Sequence, residues 1–116
     1  LRLGAALEPL RRSGVMILAS GNVVHDLGRI RWDEPDAGAD WALRFDEAAR
    51  EVLTTDPSAL GRLVEHPDYP AAVPTPDHFL PLAYLAGIAA ASGEPVRTLV
   101  EGCAMGSLSM TSYAVG

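Results

Sequence analysis

Cysteine is almost missing from this chain. Cys103 stands alone among 116 residues, so no internal disulfide can form and the composition fits a reducing cytoplasm. It lies in an apolar, strand-like run and reads as a small buried hydrophobe. Lysine is absent altogether. The nine basic residues are all arginine and scattered, against fifteen acidic ones, for a formal charge of -6. Without a basic patch there is nothing to neutralise phosphates, which argues against nucleic acid as a partner. No apolar run reaches the ~18 residues of a membrane span, and no basic leader precedes an apolar stretch with a small-residue cleavage site. The expectation is a soluble, cytoplasmic protein with no membrane partner. An initiating Met is also missing: Leu1 opens an amphipathic run that looks like a helix already under way. The chain therefore reads as the C-terminal part of a single larger domain, since its length is too short for two.

Periodicity and punctuation then order the chain. The spacing predicts a helix over about 1 to 12, perturbed near Pro9 and stopped at Gly14. Val15 to Ser20 reads as a buried strand running into the turn Ser20-Gly21-Asn22. Trp41 to Thr54 follows as a helix, with Trp41, Leu43, Phe45, Ala48, Ala49, Val52 and Leu53 on its apolar face and Arg44, Asp46, Glu47, Arg50 and Glu51 on its wet one. Asp56-Pro57-Ser58 signals a short helix to about Val64. A Pro-rich loop over 67–76 leads to a further helix that ends near Ala91 or Ser92, in which Pro81 forces a kink or restart. Thr98 to Cys103 and Ser107 to Val115 look like a hairpin around Ala104-Met105-Gly106.

Chemistry-bearing residues are few. In Pro74-Thr75-Pro76-Asp77-His78-Phe79, Pro76 pushes Thr75 into the extended geometry of an N-cap and suits the first helical position itself. His78 then falls in the first helical turn, where the positive helix end disfavours imidazolium and leaves a lone pair for a metal. A cap or a packed ring is the other reading, and spacing alone does not separate the two. His25 follows the strand and turn over 15–22, at a carboxyl strand edge where α/β folds gather ligands, and reads as an acid/base or as a structural histidine. His66, in Glu65-His66-Pro67-Asp68-Tyr69, reads as solvated in an exposed loop. The acidic cluster Asp33-Glu34-Pro35-Asp36 reads as a solvated loop as well.

Taken together, Ser20-Gly21-Asn22-Val23-Val24-His25, Pro74-Thr75-Pro76-Asp77-His78-Phe79-Leu80-Pro81-Leu82, Glu101-Gly102 and Met105-Gly106-Ser107-Leu108-Ser109-Met110 resemble the C-terminal half of class III extradiol ring-cleavage dioxygenases. The likeness is greatest to the bacterial branch that acts on DOPA. The resemblance implies a mononuclear non-haem Fe(II), sometimes found replaced by zinc, that opens a catechol ring beside its two hydroxyls with O2. It implies three histidine ligands, two from the N-terminal half and one from the Pro-Thr-Pro-Glu-His motif, which is His78 here. His25 stands at the family's acid/base position beside the metal, from which it could also lean onto the metal as a ligand. Three protein ligands leave open positions for catecholate and dioxygen, and a side chain titrating near neutrality can both take a catechol proton and return one.

Two positions depart from that pattern. Asp26 stands where relatives usually have Asn, and its carboxylate would raise the pKa of His25 if it folded back toward the ring. Asp77 replaces Glu and keeps a negative charge in the first helical turn. The expectation as a whole is an α/β domain with a mixed central sheet flanked by helices. Its expected chemistry is metal-dependent cleavage of a catechol-type, DOPA-like ring, with His25 and His78 at the site and the isolated chain inactive. A non-catalytic binding or signalling protein on the same scaffold, of the Memo kind, is the rival from another class.

Overall fold

Small residues set how the longest apolar helix packs. Helix α1 (Arg2–Arg12) lies against α4 (Leu80–Ser92), and at Gly87 a Cβ would overlap the Leu1 carbonyl and stand 2.9 Å from the Ala5 nitrogen. Only a residue without a side chain lets the two backbones approach this closely. The computed structural model describes residues 1–116. Between those two helices the chain forms a 3-10 turn (Leu27–Arg29), helix α2 (Asp40–Thr55), a longer 3-10 segment (Pro57–Glu65) and the short helix α3 (Tyr69–Ala72). After α4 come four strands, β1 (Val96–Val100), β2 (Cys103–Ala104), β3 (Leu108–Ser109) and β4 (Ser112–Val115).

The chain is of the α/β class, and its strands form two antiparallel pairs. β1 pairs with β4, with Val96 opposite Val115 and a register shift between Thr98 and Val100, while β2 pairs with β3 around the turn at Met105 to Ser107. The predicted hairpin is therefore present but broken into two ladders. Gly38 and Gly106 add one isolated parallel bridge, which ties the loop before α2 to that turn.

Helix boundaries follow local chemistry. α1 carries Arg11 and Arg12 in its last turn, where cations favour the helix end, and an ion pair at 3.0 Å from Arg12 to Glu8 one turn back. α4 ends at Gly93, whose φ of 70° and N–H to the Ala89 carbonyl make a left-handed cap. Its start differs from the expectation. The N–H groups of Phe79 and Leu80 both donate to the Pro76 carbonyl, so residues 76–80 form a separate turn and the helix begins at Leu80. Pro81, lacking an N–H, is the reason for the restart: it fits a first helical turn and no later position.

The core sits between α2, the 3-10 segment at 57–65 and α4. Phe45, Leu53 and Val24 are fully buried. Phe45 meets Tyr69 edge-on at 5.9 Å and Phe79 at 6.1 Å between centroids, geometries that aromatic quadrupoles favour. The strand expected over Val15 to Ser20 is not there. This segment forms no regular structure, and Met16 and Leu18 are each 88% exposed. A strand needs a neighbour for its N–H and C=O groups, and no backbone hydrogen bond ties residues 16–20 to another segment.

Candidate functional site

His25 and His78, 53 positions apart in the numbering, stack face to face with centroids 3.6 Å apart and an interplanar angle of 11°. Backbone pairing brings them there. The Asn22 N–H donates to the His78 carbonyl and the His25 N–H donates to the Ala72 carbonyl, both at 2.9 Å. The strand-like piece 22–25 therefore runs along 72–78. Gly21 makes the contact possible, since a Cβ there would overlap the His78 carbonyl and lie 3.1 Å from Pro81 Cγ. On its other side the same piece is laced to β3. His25 bridges Leu108, the Asp26 N–H donates to the Ser107 carbonyl at 3.2 Å, and the Ser107 hydroxyl donates to the Asp26 carbonyl at 2.7 Å.

Both rings are half-buried. Beside His78 lies a recess of about 260 Å³ whose walls include Asn22, Pro81, Leu82, Leu85 and Leu99. His78 sits in the turn ahead of α4 and not in its first helical turn, so the helix end acts on it from farther away than the sequence suggested.

The nearby carboxylates are arranged differently from the expectation. Asp26 accepts from the Gly28 N–H at 2.9 Å and pairs with Arg29 Nε at 3.0 Å. It caps the Leu27–Arg29 turn and does not fold back onto His25. Asp77 is the carboxylate that stands by the pair, with Oδ2 at 3.5 Å from His78 Nε2. A hydrogen bond from Thr75, then its own backbone N–H, then the charges of His78 and His25 hold the Asp77 carboxyl below its usual range.

The donors can be tested against a metal. No three His, Cys, Asp or Glu side chains converge in a way that could hold an ion, so these residues fit at most part of a metal site. In two nearly parallel rings the in-plane lone pairs run side by side and do not converge on one point. One imidazole of the pair can face a cation squarely while the other stands next to it. His66 lies elsewhere, and it is not solvated as expected: it is edge-on to Phe45 at 5.4 Å, and its Nδ1 accepts from the Asp68 N–H at 3.1 Å. Pro67 shapes a turn that folds this ring inward, which composition alone does not reveal. Cys103 is buried as read, and burial first, then Asp46, push its thiol up to about 11. Asp33 and Asp36 stay exposed in turns, and Glu34 pairs with Arg31 at 3.1 Å.

One residue near this region was misread from the sequence. Asp46, assigned to the wet face of α2, is 7% exposed, and its carboxylate oxygens accept hydrogen bonds from the hydroxyls of Ser109, in β3, and of Thr111, between β3 and β4. The signal was available: Ala42, Asp46, Ala49 and Leu53 follow the four-three-four spacing of one helix stripe, and the charge of Asp46 outweighed its position in the reading.

Comparison with known proteins finds relatives of this chain. The chain is 39% identical over 118 aligned residues to a 4,5-DOPA dioxygenase extradiol of Escherichia coli K12, covering 98% of this chain and 43% of that protein. It is 34% identical to proteins of the same name from Beta vulgaris and Portulaca grandiflora, over 76% and 69% of this chain and 33% and 30% of theirs. The chain thus spans less than half the length of these curated relatives. A crystal structure of an uncharacterized Escherichia coli K12 protein superposes with a TM-score of 0.89 at 38% identity, covering 99% of this chain and 48% of that one. No family model matches the sequence.

Proposed function

Since this chain is homologous to part of the 4,5-DOPA extradiol dioxygenases, we propose that it carries the acid/base and one metal ligand of such an enzyme's site, acting on a catechol-type ring with O2. The observation that supports this most is the stacked pair of His25 and His78, of which His78 lines a recess that Pro81, Leu82, Leu85 and Leu99 also wall. His78 is the proposed ligand of a non-haem Fe(II), which Zn(II) can replace. The remaining ligands are proposed to come from the part of the relatives' length that this chain does not span. When bound, the metal would supply adjacent open positions for the two catechol oxygens and dioxygen.

The chain's own residues do the rest. His25, parallel to His78 and tied to β3, takes a proton from a catechol hydroxyl and returns it as the ring opens. Its backbone bonds to Ala72 and Ser107 by way of Asp26 hold the ring in place, so little reorganisation is needed for each transfer. Pro81, Leu82, Leu85 and Leu99 offer an apolar wall for an aromatic face. Asp77 offsets positive charge that gathers on the imidazoles.

The test separates the two histidines in the full natural protein. His78→Ala is expected to lower bound iron, whereas His25→Gln keeps the metal and lowers oxygen uptake with a catechol by roughly 10²–10⁴-fold. If His25→Gln empties the site, His25 is a ligand before it is a base. Catechol binding without any oxygen uptake by the parent would replace the enzyme with a binding protein.

A further inference from the structure

Helix α2 holds a buried carboxylate with no cation to balance it. Asp46 is 7% exposed, and the nearest arginine on its helix, Arg50, is engaged instead with Glu47 and Glu101. A buried charge without a partner of opposite sign is costly, and an apolar residue would pack at this stripe position more cheaply. What Asp46 does have is two short hydrogen bonds. The Ser109 hydroxyl donates to Oδ1 at 2.5 Å and the Thr111 hydroxyl donates to Oδ2 at 2.6 Å. Each hydroxyl also accepts from a backbone N–H at 3.2 Å, Ser109 from Thr111 and Thr111 from Gly102. A hydroxyl has one proton, so both are committed to the carboxylate, and the arrangement has a single orientation.

Ser109 connects this clamp to the histidine pair. Its N–H donates to the Val24 carbonyl at 2.9 Å, and its own carbonyl accepts from the Asn22 side-chain amide at 2.7 Å. Val24 and Asn22 flank the backbone that bridges Leu108 at His25 and bonds the 72–78 segment at Ala72 and His78. A continuous ladder therefore runs from α2 through β3 and residues 22–25 to the turn that carries His78. An apolar contact at position 46 would bury the same surface but would not fix how far β3 slides along α2, because dispersion has no direction. Two charge-assisted hydrogen bonds do fix it.

We propose that Asp46 is a positioning residue, which sets through Ser109 and Thr111 the placement of His25 over His78. The inference rests on the function proposed above, in which His25 moves the proton. In the full natural protein, Asp46→Asn leaves one acceptor and turns the other into a donor that meets a hydroxyl proton. Thr111→Val keeps shape and removes two hydrogen bonds, the one donated to Asp46 and the one accepted from the Gly102 N–H, and Thr111→Ser restores both. The expected result is a fall in kcat for catechol ring opening of about 10-fold to 10²-fold in Asp46→Asn and Thr111→Val, the loss that a small misplacement of a reacting group causes. KM and bound metal stay within twofold of the parent, a fold-change set by the assay, roughly the discrimination one kinetic comparison allows. Thr111→Ser recovers the parent rate. Crystal structures of the variants are expected to show the ring centroids moved from their 3.6 Å separation. If folded Asp46→Asn and Thr111→Val keep the parent kcat and ring separation and lose only thermal stability, Asp46 is a packing feature and the proposal is wrong. Should the parent open no catechol, the functional reading fails on its own, and ring separation in the variants still decides the role of Asp46.

Discussion

Two acidic residues flank the histidine pair, and only one of them faces it. Asp26 spends both carboxylate oxygens on the Gly28 N–H and on Arg29, so its charge is committed to the turn it caps. Asp26→Asn is expected to leave the pH profile of oxygen uptake superimposable on the parent's. Asn is as good a cap, so the stability cost is that of one partly exposed ion pair, at most about 1 kcal/mol. A shifted profile would show that Asp26 reaches His25 after all. Cys103 gives a second prediction at this scale. Burial raises its thiol from 9.0 to about 11, while the unfolded chain ionises near the ordinary value. Between those two values the unfolded state binds fewer protons than the folded one, so stability falls as pH rises through that window. Tyr113 shifts upward for the same main reason, burial, and extends the loss to higher pH. Thermal midpoints measured from pH 8 to 11, a range of about three units chosen to bracket the ordinary thiol and phenol values, should fall less steeply in Cys103→Ala than in the parent.

Among the elements, the α1 and α4 contact has the least tolerance. A methyl group at Gly87 would meet the Leu1 carbonyl, the Ala5 nitrogen and the Gly4 Cα, all of them backbone atoms that cannot rotate away. Gly87→Ala is therefore expected to lower stability by about 1–3 kcal/mol despite alanine's better helix propensity, measured as a lower urea midpoint at unchanged slope. The longer helices were legible in the sequence because their signals were local: the apolar stripe of α2 and the Asp56-Pro57 start act within a few residues, whereas the short helix α3 (Tyr69–Ala72) lies where a Pro-rich loop was expected. Pro81 was legible for the same reason, although the turn it isolates at 76–80 moved His78 ahead of the helix. The pairing of His25 with His78 was legible only through family resemblance. Nothing local to either motif encodes the bonds from Asn22 to His78 and from His25 to Ala72 that bring the rings together. Asp46 was missed because charge was read before position, and its partners Ser109 and Thr111 lie more than sixty residues away.

At the scale of the whole molecule the strand expected over residues 15–20 becomes informative. Its apolar composition was read correctly, yet the segment lies open along a groove of about 550 Å³ shared with Tyr113, Ala114 and Val115 of β4. The molecule measures 45 × 26 × 22 Å along its principal axes, and Val15, Met16, Leu18, Leu99 and Val100 all stand exposed on it. An exposed apolar run with unpaired backbone is a template for association. The isolated 116-residue chain is therefore expected to self-associate and to bind the dye ANS. Replacing Met16 and Leu18 together by Ser should reduce both effects. Each side chain is already 88% exposed, so the double substitution removes almost no buried area and is expected to change stability by no more than about 0.5 kcal/mol. Size-exclusion chromatography and ANS fluorescence on the two chains check this. Equal association in both would place the sticky surface elsewhere, and a large drop in thermal midpoint would mean that the segment packs inward in solution.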